Sequence, residues 1–221
     1  MGSVDYKKLY ELQDRVLDIL FATEDIFYLT GGTCLSRFYQ EKRYSDDLDF
    51  FADNEPRFKA GIKNIKSKLS EQFNVHEDTV TKDFVRWIVD DVLQVDFIND
   101  RVYRDGESVL LESGYQIDNI HNVLSNKLNA VIDRDEPKDI FDIYMISKFY
   151  SFDWKDILEA SHKKAHFSHE DLIIRLKTFP LKMIESINLI DVKFLESFEQ
   201  EFPLIVEEIN ELKNHEALEK L

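Results

Sequence analysis

YLTGGTCLSRFYQEKRYSDDLDFF, residues 28–51, passes from a short apolar run through a Gly-Gly turn to a D-x-D pair. If Asp47 to Phe50 is a strand, its period of two sends the carboxylates of Asp47 and Asp49 to one face and Leu48 and Phe50 to the other. Two adjacent acids invite a hard cation, and Mg²⁺ is commonly held by one or two carboxylates together with water and substrate phosphates. Phosphate chemistry is therefore the leading reading. Gly31 and Gly32 permit unusual dihedrals and close backbone approach, and Thr33 is placed to cap a following helix. A helix N-terminus offers unsatisfied N–H groups and a positive dipole end, which suits a triphosphate beside the acids. Leu35, Phe38 and Tyr39 give that helix a core face, and Ser36 adds a hydroxyl one turn after Thr33.

Outward from this stretch, Leu9, Leu12, Val16, Ile19 and Leu20 recur at helical spacing, and Ile26 to Thr30 reads as a short buried strand. Pro56 opens a helix through Phe58, Ile62, Ile65 and Leu69, with Lys59, Lys63 and Lys66 on its other face. FNVHEDTV, FVRWIVD and VLQVDFIN, between Phe73 and Asn99, are β-branched and aromatic and predict an antiparallel meander. In the last of these Asp96 sits among strong strand formers. It is either exposed on a solvated face or, beside the D-x-D pair, a third acid. Asp100 to Gly114 is a charged, turn-rich connection.

Beyond it helical periodicity dominates. Ile117, Ile120, Val123, Leu124 and Val131 mark one helix, a second follows Pro137, and others run from Asp153, from Ser168 and from Val192 to the end. Ser168 with Asp171 makes a variant capping box.

The 221 residues suffice for a full core, and 43% hydrophobic content marks a globular chain. Lys and Arg number 28 against 44 Asp and Glu, a formal charge of −16, which argues against a general nucleic-acid coat protein. A local basic patch is still compatible, because exposed charges more than about 8 Å apart are largely screened at physiological salt. The single cysteine, Cys34, excludes an intrachain disulfide framework and reads as a small buried helix residue. No secretory signal or membrane-length apolar run stands out, so the cytoplasm is the expected location and no membrane partner is expected. Met1-Gly2-Ser3 reads as a cloning remnant without the downstream Ser or Thr of a myristoylation signal.

Four motifs in order then carry a resemblance. Gly31-Gly32-Thr33, R-x-S-x-D-L-D-F at Arg43 to Phe50, Asn126-Lys127, and R-x-x-x-K-D-x-x-D at Arg134 to Asp142 resemble those of the AbiEii/AbiGii-type nucleotidyltransferases. These include abortive-infection toxins and the mycobacterial MenT toxins, within the polymerase-beta-like superfamily. The resemblance covers roughly residues 20 to 150. It implies an α/β (α+β) fold: residues 1–114 form a catalytic core with a mixed β-sheet flanked by helices, and 115–221 a helical-bundle half that supplies the far wall of the active-site cleft.

The resemblance also implies roles. Asp47 and Asp49 would bind Mg²⁺, and the Gly31-Gly32 turn with Thr33 and Ser36 would hold the triphosphate. Arg43 would touch phosphate, Lys127 would stabilise phosphate charge, Asp139 with Asp142 would complete the site, and Asp96 would be the third carboxylate and general base. Each has a plainer alternative: a solvated helix lysine for Lys127, a first-turn capping acid for Asp139, an ordinary ion pair for Arg43.

The activity implied is Mg²⁺-dependent transfer of a nucleotidyl group from a nucleoside triphosphate to a hydroxyl, on RNA such as a tRNA 3′ end, by the toxin of a bacterial toxin–antitoxin or phage-defence pair with a cognate antitoxin protein. The acidic charge favours, as the alternative, a protein or small-molecule hydroxyl, and a non-catalytic partner-binding module is the reading from another class. His162, His166 and His169 stand at i, i+4, i+7, but the helix break at Ser168 makes them a polar loop rather than a metal site. With Arg175, Lys177 and Lys182 that loop is a weak candidate for a nucleic-acid contact.

Overall fold

A seven-stranded mixed sheet in the order β3-β4-β5-β2-β1-β7-β6 organises the first part of the computed structural model, which describes residues 4–219. Met1-Gly2-Ser3 lies outside the described residues. Contacts divide the chain into two units. The first runs to Phe38 and resumes over Tyr44–Arg101 and Glu107–Asp118; the second takes Tyr39–Arg43, Val102–Gly106 and the chain from Asn119 onward.

In the first unit α1 (Tyr6–Thr23) begins at Asp5, whose carboxylate accepts from the Lys8 amide, and buries Leu9, Val16, Leu17 and Leu20 on one stripe. Then come β1 (Tyr28–Thr30), a short α2 (Gly31–Cys34) passing into a π-turn (Leu35–Tyr39), β2 (Leu48–Asp53), α3 (Phe58–Leu69), β3 (Val75–Val80), β4 (Phe84–Val89), β5 (Leu93–Asp100), β6 (Val109–Leu110) and β7 (Gln116–Ile117). The expected meander is present, β3, β4 and β5 pairing antiparallel in turn. β5 then runs parallel to β2, and β2 antiparallel to β1, so the sheet is mixed.

Alternation fixes its faces. Leu48, Phe50, Leu93, Val95, Phe97 and Trp87 are fully buried. Phe97 is the hub of an aromatic cluster, 5.4 Å from the Phe50 ring, 4.7 Å from Trp87 and 5.2 Å from Phe27. A one-residue slip would expel this whole set, so the register is strongly determined. Phe27 also meets Phe58 of α3, which places α3 on the aromatic face.

The second unit holds α4 (Ile120–Asp133), α5 (Pro137–Phe149), β8 (Phe152–Asp153), α6 (Trp154–Lys164), α7 (His169–Thr178) and α8 (Phe198–Glu211), with 3-10 turns at Leu181–Ser186 and Val192–Leu195 and a last strand β9 (Asn214–His215). Asn119, Asp153 and Ser168 cap α4, α6 and α7 by accepting from the amides of Asn122, Lys155 and Asp171. Every residue of α5 from Asp139 to Phe149 is buried, the mark of a central helix.

Three expectations change. Thr33 does not cap a helix; α2 begins at Gly31, so Thr33 lies inside its first turn, and Thr30 at the cap makes no side-chain capping bond. Ile117 belongs to β7 rather than to the helix that follows, because Asn119 provides a stronger start. The stretch from Val192 is a 3-10 turn, a helix and a strand rather than one helix, and β9 pairs antiparallel with β8. Among the described residues no helix is long and apolar enough to cross a membrane.

Candidate active site

Sheet register builds the site in the first unit. Thr30 pairs with Asp49, Asp49 with Asp96, and Asp96 with Arg86. Residues in register share a face, so the four stand in a row across β1, β2, β5 and β4, opposite the aromatic core. Asp47 and Asp49 are half-buried, and Asp96 is 5% exposed. Asp47 precedes β2, and its carbonyl accepts from the Thr33 hydroxyl, which ties the acid pair to the glycine turn.

Gly31 has φ +72°, and a Cβ built on it would lie 2.6 Å from Asp49 Oδ2. The turn therefore needs glycine twice over, for its left-handed backbone and for the space the carboxylate takes. Gly31→Ala is expected to cost about 1–3 kcal/mol of stability. It should also lower transfer activity well beyond that, because Asp49 must move; thermal melts beside an activity assay read both.

Ser36 is 2% exposed, and its Oγ has no hydrogen-bond partner among the described residues. A buried hydroxyl without a partner is uncommon and costs stability, which makes it an available contact for an oxygen-rich ligand beside the turn. Cys34 is buried, with its thiol 3.8 Å from the Asp118 carbonyl. Burial pushes the thiol well above its usual range, and the nearby Asp118 carboxylate adds to it, so it stays an inert packing group.

Two residues here were not singled out from the sequence. Arg86 donates to both oxygens of Asp96, at 2.8 and 2.6 Å, and Gln94 adds a third bond at 3.2 Å. The bond to Asp96 raises the Arg86 guanidinium further above its usual value. Asp118, fully buried, accepts from Thr30 Oγ1 at 2.8 Å and so braces the residue that leads into the turn. Alternation in FVRWIV marks Arg86 as a polar-face residue, but only the β4–β5 register puts it on Asp96. Asp118 carries no local signal.

Asp47 and Asp49 beside the glycine turn fit the oxygen donors of Mg²⁺, which takes one or two carboxylates and leaves the rest to water and phosphate. Among the described residues no three His, Cys, Asp or Glu side chains are ready-placed around one ion. Asp96 is instead engaged by Arg86.

The remaining candidates meet inside the second unit. Lys127 on α4 bridges Asp139 at 2.8 Å and Asp142 at 2.7 Å, both on α5. Arg43 grips Asp142 through Nε at 2.7 Å and Nη2 at 2.8 Å, and Arg134 grips Asp139 at 2.7 and 3.1 Å. Arg43, Lys127, Asp139 and Asp142 are all buried. For both acids burial alone would raise the carboxyl; Arg43 and Lys127 outweigh it at Asp142, Lys127 and Arg134 at Asp139, and both are held below the usual carboxylate value. Burial likewise opposes the Lys127 charge, yet Asp142 and Asp139 raise it above its ordinary value. Lys127, Asp139 and Asp142 are therefore charged at neutral pH. Lys127 is thus not a solvated helix lysine.

The histidines do not gather. His162 is on α6 and stacks on Phe167 with rings 4.5 Å apart, and His169 begins α7. Arg175 bonds the Val131 carbonyl and Asp135, and Lys177 pairs with Glu207.

A glycine turn and D-x-D pair on a mixed sheet of this kind define a nucleotidyltransferase core. The sequence profile described as "Nucleotidyl transferase AbiEii toxin, Type IV TA system" matches residues 15–216, and the chain belongs to that family of nucleotidyltransferase toxins. Its fold is similar to that of JHP933 from Helicobacter pylori (24% identity, TM-score 0.60, covering 96% of this chain and 94% of that one). A nucleotidyltransferase toxin of Mycobacterium tuberculosis H37Rv, MenT4, shares it at 14% identity and TM-score 0.61, over 92% and 84% of the two chains. A comparison with curated proteins finds no match.

Proposed function

We propose that this enzyme moves a nucleotidyl group from a nucleoside triphosphate to a hydroxyl of RNA, a tRNA 3′ end in the first instance. It does so with Mg²⁺, as the toxin of a cytoplasmic toxin–antitoxin pair whose antitoxin is a second protein. The observation that carries this reading is the seating of Asp49 against Gly31, which brings a carboxylate and the left-handed glycine turn into one place.

In the reaction the acceptor oxygen attacks the α-phosphorus, the bond to the bridging oxygen breaks, and pyrophosphate leaves with the electron pair. Asp47 and Asp49 are the ligands that would hold Mg²⁺, which when bound stabilises charge on the attacking and leaving oxygens. The amides of the Gly31-Gly32 turn, with Thr33 and the unpartnered Ser36 hydroxyl, bind and orient the triphosphate. Asp96 is the assigned third carboxylate and takes the proton from the attacking hydroxyl. To do so it exchanges at least one bond from Arg86, whose guanidinium is then free to meet phosphate. Arg43 and Lys127 stabilise phosphate charge, with Asp139 and Asp142 fixing them in place.

The test is incubation with each α-labelled triphosphate, with Mg²⁺ or with EDTA, and with total RNA, a protein extract or a small-molecule fraction. Label in RNA, matched by released pyrophosphate and lost in EDTA, is the expected result. Label in protein or small molecules would instead favour the alternative acceptor that the −16 charge suggests. No label anywhere, with no triphosphate raising Tm, overturns the assignment.

A further inference from the structure

The segment Pro56 to Ser70, PRFKAGIKNIKSKLS, carries Arg57, Lys59, Lys63, Lys66 and Lys68 and no acid, in a chain whose acids outnumber its bases 44 to 28. Its helix α3 turns Phe58, Gly61, Ile65 and Leu69 inward, so the lysines are what it presents to solvent. Two clefts follow that outer surface. One, of about 450 Å³, is lined by Lys59, Lys63, Lys66, Ser67 and Ser70, with Glu77 of the edge strand β3 opposite. The other, of about 270 Å³, lies where β2 and β5 end and is lined by Asn54, Lys59, Lys82, Asn99 and Arg101, with the acids Glu55 and Asp83. Lys59 belongs to both, so the clefts form one track. Lys66 pairs with Glu77 at 2.9 Å and Arg101 with Asp83 at 2.9 Å, whereas Lys59, Lys63 and Lys82 make no ion pair among the described residues.

We infer that this track binds the phosphate backbone of the RNA acceptor, away from the atoms that react. The inference rests on the reading of the enzyme as acting on RNA. Lys59, Lys63 and Lys66, at i, i+4 and i+7, rise about 6 and 4.5 Å along the helix, a spacing that lets successive point charges meet successive phosphates. The lining sets four lysines and Arg101 against three acids, with serine and asparagine and with Pro56, Ile62 and Phe58, the last the single aromatic residue among them. Lysine is depleted in protein–protein interfaces and aromatic residues are enriched there, whereas lysine on phosphate is the main source of affinity in nucleic-acid binding. Asn54 lies five positions beyond Asp49, just past the end of β2, about 17 Å along the strand, and α3 covers the face of the sheet opposite Asp49. An acceptor that reaches both places is therefore longer than a mono- or dinucleotide, as an RNA is and a small-molecule hydroxyl is not.

The test uses the full chain and a fluorescent 15-nucleotide single-stranded RNA and, separately, labelled total tRNA, with affinity measured from 50 to 300 mM salt. Single-strand contacts contribute about 0.7 each to the slope of log K against log salt. Lys59→Ala/Lys63→Ala is expected to lower that slope by about 1.4 and to weaken binding roughly 25-fold at 0.1 M salt. Both side chains are exposed, so Tm should stay unchanged. Asp49→Ala, which lacks the proposed chemistry, should bind RNA as the wild type does, with the same salt slope. RNA binding that the double substitution leaves intact overturns the assignment, as does absence of salt-sensitive RNA binding. Capture of an acidic protein by the track in place of RNA overturns it too. Failure of nucleotidyl transfer alone, with the track still binding RNA, counts against the proposed reaction and not against the track.

Discussion

Asp49→Ala is expected to leave a folded protein whose nucleotidyl transfer falls by about 10³-fold. A metal held by two carboxylates supplies several kcal/mol of charge stabilisation, and about 4 kcal/mol at 1.36 kcal/mol per decade gives that factor. Folding should survive, because Asp49 is half-buried on the polar face and the aromatic cluster behind the sheet does not involve it. A binding measurement separates this role from simple loss of shape. Removing a carboxylate beside the triphosphate removes repulsion, so in EDTA the variant should bind triphosphate as well as the wild type or better. With Mg²⁺ present it should bind more weakly. Equal activity of Asp49→Ala and wild type would sink the assignment of the D-x-D pair, and a weaker complex in EDTA would point to a structural role.

Asp142→Ala has the largest expected effect on stability. The substitution takes from Arg43 and Lys127, both buried, the carboxylate that each contacts within 2.8 Å, although Lys127 keeps Asp139. Removing one partner of a buried ion pair typically costs 3–5 kcal/mol because it leaves an uncompensated charge. At about 2–4 °C per kcal/mol for a chain of this length, Tm should fall by roughly 6–20 °C. Calorimetry checks this directly, and a fall of less than about 2 °C would show that the network tolerates a missing acid.

The same network sets an acid limit on stability. Asp139 and Asp142 are held below the ordinary carboxylate value of 3.8. A lowered carboxyl contributes stability that is fully present above the unfolded value and is lost as pH falls through the folded one. The difference in stability between wild type and Asp142→Asn should therefore be constant near neutrality and shrink below about pH 4. A gap that widened on acidification would contradict the lowered Asp142 carboxyl.

Local chemistry made much of this chain readable in advance. Alternation in FVRWIVD and VLQVDFIN is a short-range property, and it led to the meander correctly because one face of each strand has to be buried. The glycine pair, the D-x-D acids and the later lysine and aspartate motifs are likewise contiguous, so their order could be compared with a family. Boundaries set by competition between neighbours were harder. Thr33 reads as a cap until the left-handed Gly31 starts the helix two residues earlier, and Ile117 reads as helical until Asn119 takes the cap.

The sequence by itself determined the mixed α/β class, the nucleotidyltransferase family and the acids beside the glycine turn, because each is written in residues close along the chain. Tertiary structure alone decided what those residues touch. Arg86 meets Asp96 through the β4–β5 register, Asp118 reaches Thr30 across 88 positions, and Arg43 finds Asp142 across 99. Ion pairs and hydrogen bonds act over about 3 Å of space whatever the separation in sequence. Whether a charged residue is solvated, paired or poised for substrate is therefore settled only when the chain has folded.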